Sequence, residues 1–346
     1  MLYREFMEEA EKGVRERLGK ETTVTRDRVR KNNAVFLDAL FIREKGERIS
    51  PVLYLQDFYR KYQAGMDMDT VLDEMISCYM RGKCAMEVDV SFFTDPMRVK
   101  KRVFPRLVNW SKNREALMGV PHREFQDLAI VYYCVLERSS FGDAAILIRE
   151  EHRSMWGMRE EDLYNAGREN LYRSLPWVFL SMEDMLVSML GDMEEAEGTA
   201  DPAGGTLSDQ ERILKTDGLF ERAPDGREDG GYPFPTAQSI IAEQKASPVP
   251  LYVLTNEKKS FGAVWITEDE VLKEVGEKLG EDYYVLPSSV HECIILPVSV
   301  TDDSMGLRRM VEDINSSQVA PEEVLSDSIY FYDRSAKSLS VLQQAR

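Results

Sequence analysis

Between residues 191 and 250 the apolar periodicity that runs through the rest of this 346-residue chain stops. Eight of the 21 glycines fall in 191–231, beside Asp201-Pro202-Ala203-Gly204-Gly205 and Asp225-Gly226-Arg227-Glu228-Asp229-Gly230-Gly231. A stretch with Gly and Pro clusters and no repeat of apolar positions has no face to bury, so it reads as a flexible acidic linker or insertion. The foldable sequence is thereby divided into an N-terminal half, 1–190, and a C-terminal half, 250–346, with 191–249 between them. Roughly two domains also follow from length, at ~100–200 residues per domain. Pattern alone leaves open whether the halves share one sheet.

The same stretch carries much of the charge. Residues 192–245 hold 13 acids and five bases, a net of −8 out of −17 for the chain. An excess of this sign opposes binding to nucleic acid and docking on anionic lipid. One basic run stands against it, Arg98-Val99-Lys100-Lys101-Arg102. It can be read as a contact for an acidic partner or as a solvated helix face. Apolar residues make up 43% of the chain, enough for a packed core, yet no run approaches the ~20 residues of a membrane span. The N-terminus, Met1-Leu2-Tyr3-Arg4-Glu5-Phe6, has no basic flank before an apolar stretch and does not read as a secretory signal. Cys78, Cys84, Cys134 and Cys293 form no C-x-x-C pair. Cys134 and Cys293 sit in apolar strand-like runs and read as small buried hydrophobes. A reducing, cytoplasmic location is expected.

Apolar positions at three and four spacing predict helices over 2–18, 56–64, 69–82, 159–174, 269–279 and 307–315, and a short one over 111–118 capped by Ser111. Gly19, Gly82 and Gly280 are natural stops. Strands are expected at 22–25, 34–43, 49–55, 103–108, 128–136, 144–148, 251–255, 261–266, 283–286, 292–298 and 327–332. Hairpins should join 34–43 to 49–55, 128–136 to 144–148, and 251–255 to 261–266. The whole reads as an α+β fold: a mixed or mainly antiparallel sheet with flanking helices, in two halves. In the C-terminal half the order β-β-α-β-β-α-β places the helices on one face of the sheet.

Several longer words carry a resemblance. Leu251-Tyr252-Val253-Leu254-Thr255-Asn256, Phe261-Gly262-Ala263 and Leu286-Pro287-Ser288-Ser289-Val290-His291-Glu292 are similar to a family of uncharacterised bacterial proteins, a domain of unknown function common in anaerobic Firmicutes. Val120-Pro121-His122-Arg123-Glu124-Phe125-Gln126-Asp127-Leu128-Ala129, Glu322-Glu323-Val324-Leu325-Ser326-Asp327, Tyr54-Leu55-Gln56-Asp57-Phe58-Tyr59 and Leu107-Val108-Asn109 fit the same family. The resemblance covers about 35–335 apart from the acidic stretch. Residues 148–171 are more faintly similar to a second uncharacterised bacterial family of α+β proteins. Neither resemblance implies an activity, a substrate or a catalytic residue.

Chemistry must therefore be sought in the residues themselves. No G-x-G-x-x-G, Walker loop, H-E-x-x-H or G-x-S-x-G is present, so no cofactor is expected. The three histidines, His122, His152 and His291, show no zinc-ligand spacing. In Ser289-Val290-His291-Glu292 the components of nucleophilic catalysis stand together, but too close in sequence to form a triad alone. The other reading is a turn in which Pro287 sets the backbone and the hydroxyls and His291 satisfy it. His122, Glu124 and Asp127 offer N and O donors to a divalent metal, completed by His291 or Glu292. The other reading is an ion-pair network of Arg123 with Glu124 or Asp127. Asn256 and Gly262 mark a turn, or a close approach of a ligand or a neighbouring backbone. Met66, Met68, Met75 and Met80, and Met182, Met185 and Met189, read as core or as an adaptable binding surface.

Two functions follow. The first is a non-enzymatic cytoplasmic protein that binds a protein partner, with neither nucleic acid nor membrane as partner. The second is a hydrolase or metal-dependent enzyme built on His122, Asp127, Ser289, His291 and Glu292. The enzyme requires those side chains to converge in one cleft with a base bonded to a nucleophile.

Overall fold

The computed structural model describes residues 1–44, 51–84, 91–139, 142–185, 187–188 and 250–342. The acidic stretch 191–249 and the turn after Glu44 lie outside the described residues. The chain divides into two compact units, Met1–Val90 with Leu136–Asp143, and Ser91–Val135 with Ala144–Arg346.

In the first unit, α1 (Tyr3–Leu18) precedes β1 (Thr22–Arg30), β2 (Phe36–Glu44), β3 (Val52–Tyr54), α2 (Leu55–Gln63) and α3 (Met68–Cys84). The strands form an antiparallel sheet in that order, and the expected β2–β3 hairpin is paired from Ala39↔Tyr54 to Phe41↔Val52. β1 runs to Arg30, five residues past the apolar-and-Thr stretch that marks it in sequence, because each of its residues pairs with β2. Phe6, Ala10 and Val14, one face of α1, are buried with Leu40, Ile42, Leu53, Leu72 and Met75. The four-residue spacing of those α1 positions is what turns them toward one core. Met75 is fully buried and Met66 and Met68 pack on this core, while Met80 is 47% exposed.

The second unit holds two sheets. In one, β4 (Val103–Asn109) and β5 (His122–Phe125) flank β6 (Leu128–Ser139), which also pairs with β7 (Gly142–Leu147). Helices α4 (Pro96–Lys100), α5 (Arg114–Leu117), α6 (Glu150–Met155) and α7 (Glu160–Ser174) lie along this part of the chain. Ser111 does not cap α5. Its hydroxyl donates to Asn109 Oδ1 at 2.9 Å, and the helix starts later, after Asn113.

The other sheet has six strands, all antiparallel. They are β8 (Trp177–Ser181), β9 (Tyr252–Asn256), β10 (Tyr283–Leu286), β11 (Cys293–Pro297), β12 (Tyr330–Asp333) and β13 (Ser338–Val341), in the spatial order β13-β12-β10-β11-β9-β8. β8 and β9 stand on opposite sides of 191–249 and pair from Trp177↔Asn256 to Ser181↔Tyr252. Residues 177–181 therefore complete the C-terminal sheet. Helices α8 (Asp269–Leu279) and α9 (Ser304–Ser317) cover it.

Two expectations for this sheet are corrected. The helices do not share one face. Tyr283 donates to Leu272 O of α8 at 2.8 Å, whereas the next residue, Tyr284, joins Leu286, Leu307 and Val311 in a core with α9. Neighbouring strand residues point to opposite faces, so α8 and α9 lie on opposite faces too. All four residues of β10 are buried, as a strand covered on both sides requires. The second correction concerns 261–266, which is not a strand. Gly262–Thr267 is a 3-10 helix. β9 already pairs with β8 on one edge and β11 on the other, so no edge is left for a hairpin partner.

Candidate functional site

The turn 287–292 leaves β10 and runs along residues 323–326. Val290 N donates to Glu323 O at 2.9 Å, Leu325 N to Ser288 O at 2.8 Å and Ser326 N to Pro287 O at 2.9 Å. This pairing buries Ser288, Ser289, His291 and Glu292, none more than 7% exposed. Polar groups so placed must find partners inside the protein. Ser289 Oγ accepts the His291 N–H at 3.1 Å. The His291 carbonyl accepts from Thr255 Oγ1 at 2.8 Å and from Gly262 N at 2.8 Å.

The imidazole is held from two sides. Phe261 N donates to His291 Nδ1 at 3.2 Å, so Nδ1 is the accepting nitrogen of the ring. Nε2 lies 3.3 Å from Glu323 Oε1, but outside hydrogen-bond geometry. Burial pushes the neighbouring Glu292 carboxyl up to about 7, against the pull of His291 and the Ser289 hydroxyl, and Glu323 adds to the rise.

Phe261 reaches this ring only by a strained backbone, with φ of 53° in the left-handed region. Its ring tilts against His291 at a centroid distance of 4.9 Å and supports the Arg106 guanidinium at 3.5 Å on its face. Arg106 also lies 4.2 Å from the Tyr133 ring. Gly262 follows where a side chain has no room: a Cβ there would lie 2.7 Å from Asn256 N and 2.8 Å from His291 O. The close approach expected at Gly262 is thus to neighbouring backbone. Asn256 is a turn residue, donating to Ser260 O at 2.8 Å and accepting from Lys258 N at 3.0 Å.

Asp127 stands in a second polar knot. Its carboxylate accepts from Ser326 Oγ at 2.6 Å, from Ser328 Oγ at 3.0 Å and from the Tyr330 hydroxyl. Ser326 belongs to the segment paired with the turn, and Asn109 Nδ2 donates to Leu325 O in the same segment at 2.9 Å. Asp127 and Asn109 therefore brace the strap against which Ser289 and His291 rest. His122 has a different environment: its Nδ1 donates to the Val120 carbonyl, two residues back, at 2.8 Å. Arg123 pairs with neither Glu124 nor Asp127. It reaches the first turn of α7, with Glu160 at 2.9 Å and Glu161 at 2.7 Å.

Of the five candidates, the structure brings Ser289, His291 and Glu292 together, joins Asp127 to them through Ser326, and leaves His122 to its own turn. The Ser289 hydroxyl meets the His291 main chain and the Glu292 carboxyl rather than the His291 imidazole. Among the described residues no group of three or more His, Cys, Asp or Glu side chains could hold a metal ion. Glu323, Phe261, Thr255 and Ser326 carry no local signal of a site in the sequence. Only their place in the family-like words marked them, and such words carry no chemistry.

The geometry defines an α+β protein with a buried polar brace beside its antiparallel sheet. The chain belongs to a family of unknown function, DUF5688, whose sequence model matches residues 3–334. Neither the curated proteins nor the solved structures gave a match. Among the described residues no helix is long and apolar enough to cross a membrane.

Proposed function

We propose that this chain is a non-enzymatic cytoplasmic protein that binds a protein partner, and that it takes neither nucleic acid nor a membrane surface. One observation carries the reading: Ser289, His291, Asp127 and His122 each spend on the fold an atom that a hydrolase would need. His291 Nδ1 takes the Phe261 N–H, Ser289 Oγ takes the His291 N–H, Asp127 takes three hydroxyls, and His122 bonds the Val120 carbonyl. A nucleophile and base need lone pairs free toward a substrate. Against nucleic acid stand the net charge of −17 and the fate of the basic run. Arg98 and Arg102 gather over the buried Phe92 ring, at 5.9 and 4.2 Å, rather than forming a strip for phosphates.

The test is labelling of the full chain with a fluorophosphonate, which reacts with activated serines. No adduct at Ser289 is expected at any pH from mildly acid to mildly alkaline. An adduct there that disappears in both Ser289→Ala and His291→Asn would establish the hydrolase instead.

A further inference from the structure

Strand β8, Trp177-Val178-Phe179-Leu180-Ser181, forms one edge of the six-stranded sheet. All five residues are half-buried and none is charged. The register shows which of its main-chain groups face β9. Met182 N donates to Leu251 O at 2.8 Å, and Glu257 N donates to Pro176 O at 3.2 Å. Along an antiparallel ladder the bonded residues alternate, so Pro176, Val178, Leu180 and Met182 face β9. The N–H and C=O groups of Trp177 and Phe179, and the N–H of Ser181, therefore point away from the sheet. β8 is last in the strand order, so among the described residues no strand pairs with these groups.

Two other edges are guarded. At β13 the Leu339 carbonyl accepts from Gln126 Nε2 at 2.9 Å. At β1 the Val24 carbonyl accepts from Arg15 Nη2 at 3.1 Å, and Arg28 N donates to Asp27 Oδ1 at 2.7 Å. That strand also carries Arg26, Asp27, Arg28 and Arg30. Charges and side-chain bonds of this kind blunt an edge, because an open apolar edge invites another strand. Among the described residues β8 has neither. Its aromatic face is already furnished: Phe179 stacks on Tyr252 at 5.1 Å and 20°, and Lys278 of α8 lies 4.5 Å from the centre of the Trp177 ring. What stays open is the edge itself.

We propose that this edge pairs with β8 of a second copy of the chain, antiparallel about a two-fold axis at Phe179, so that two sheets become one. The strand is complementary to itself in this register. The two Phe179 residues exchange both main-chain bonds, and each Ser181 N–H meets the Trp177 carbonyl of the second copy. Trp177 stands opposite Ser181, the largest side chain of the strand against the smallest, and Val178 stands opposite Leu180. A two-fold contact uses each of these matches twice. It also sets like charges together wherever a charged residue meets its own copy, and here no charge lies on the strand. Five residues a side make a small contact, so the dimer is reversible, with a dissociation constant on the order of 10 µM. The pairing uses only this chain and stands independently of the protein-binding reading.

The test is sedimentation velocity of the full chain from about 1 to 200 µM, where monomer should convert to dimer. Phe179→Lys sets two like charges opposite each other at the axis and should weaken the dimer at least about ten-fold. Disulfides read the register. Val178 and Leu180 of the second copy form a non-hydrogen-bonded pair, with Cα atoms about 4.5 Å apart and within disulfide reach. Val178→Cys and Leu180→Cys should cross-link when mixed under mild oxidation, and neither should do so alone beyond the level of the unaltered chain. A monomer at every concentration overturns the proposal, as does a dimer in which the mixed cysteine variants stay unlinked. The unaltered chain and the mixed disulfide decide the matter even where Phe179→Lys fails to fold.

Discussion

The backbone N–H of Phe261 points at Nδ1 of His291, 3.2 Å away, from a residue whose φ is 53°. A left-handed non-glycine backbone costs ~1–3 kcal/mol and persists only where its surroundings enforce it. Here the enforcing group is the imidazole, which takes the N–H, together with the His291 carbonyl, which takes the next one. His291→Ala should therefore destabilise the second unit by about 1–3 kcal/mol, the cost of a buried donor left unmet. His291→Asn places an amide oxygen near the former Nδ1 and should recover much of that loss. Urea unfolding of the two variants checks this; equal midpoints for Ala and Asn would contradict it.

Glu292 sets a pH dependence. Its carboxyl is raised by burial from 4.5 to about 7, so the folded protein holds this proton more strongly than the unfolded chain. The contribution to stability is full below the unfolded value near 4.5 and is lost as pH rises through about 7. Thermal unfolding midpoints followed across that window should fall with rising pH. Glu292→Gln, which stays neutral, should flatten the fall and be more stable than the parent on the alkaline side. An unchanged pH profile in Glu292→Gln would show that another group governs it.

Asp127 binds three hydroxyls, two of them on the buried residues Ser326 and Tyr330. Asp127→Ala leaves these donors unmet, with an expected loss of about 3 kcal/mol, whereas Tyr330→Phe removes a single bond and should cost about 1 kcal/mol. The double variant should cost less than the sum, because the pair shares one network. Strict additivity in a double-mutant cycle would mean that the Tyr330 bond contributes nothing.

Gly262 and Gly119 make a matched pair. A methyl at Gly262 meets Thr255 Oγ1 and two backbone atoms, at 2.7 Å from Asn256 N and 2.8 Å from His291 O. Backbone cannot yield as a flexible side chain does, so Gly262→Ala should cost at least ~1–3 kcal/mol. A methyl at Gly119 meets nothing within 4 Å, and Gly119→Ala should be close to neutral. Melting temperatures of the two variants decide it.

Much of the secondary structure is readable along the chain because its causes are local. Asp269–Leu279 repeats apolar positions at helical spacing and ends at Gly280, whose φ of 80° is the left-handed cap a glycine supplies at no steric cost. Cys134 and Cys293 are buried completely, as apolar surroundings in sequence indicate. The stretch 261–266 has the same local look of a strand and is none, since pairing depends on a free edge and the edges of β9 are taken by β8 and β11. Short-range pattern reports which face a segment can bury; it holds no record of which neighbours arrive first.

The polar brace belongs to that second kind of information. His291 is a candidate by residue type, but its neighbours Phe261 and Glu323 are set by two different crossings of the chain. Asp127 meets Ser326 across 199 residues and Tyr330 across 203. Arg168 meets Glu268 across 100. No spacing rule links positions so distant, because what brings them together is the packing of sheets and helices around them. The sequence by itself determined where most helices and strands lie, through periodicity, glycine stops and apolar content; Pro96–Lys100 and Glu150–Met155, too short to show a repeat, carried no such mark. The tertiary structure alone decided which polar groups are consumed in bracing the fold, because only the packing of distant segments brings donors and acceptors within reach of one another.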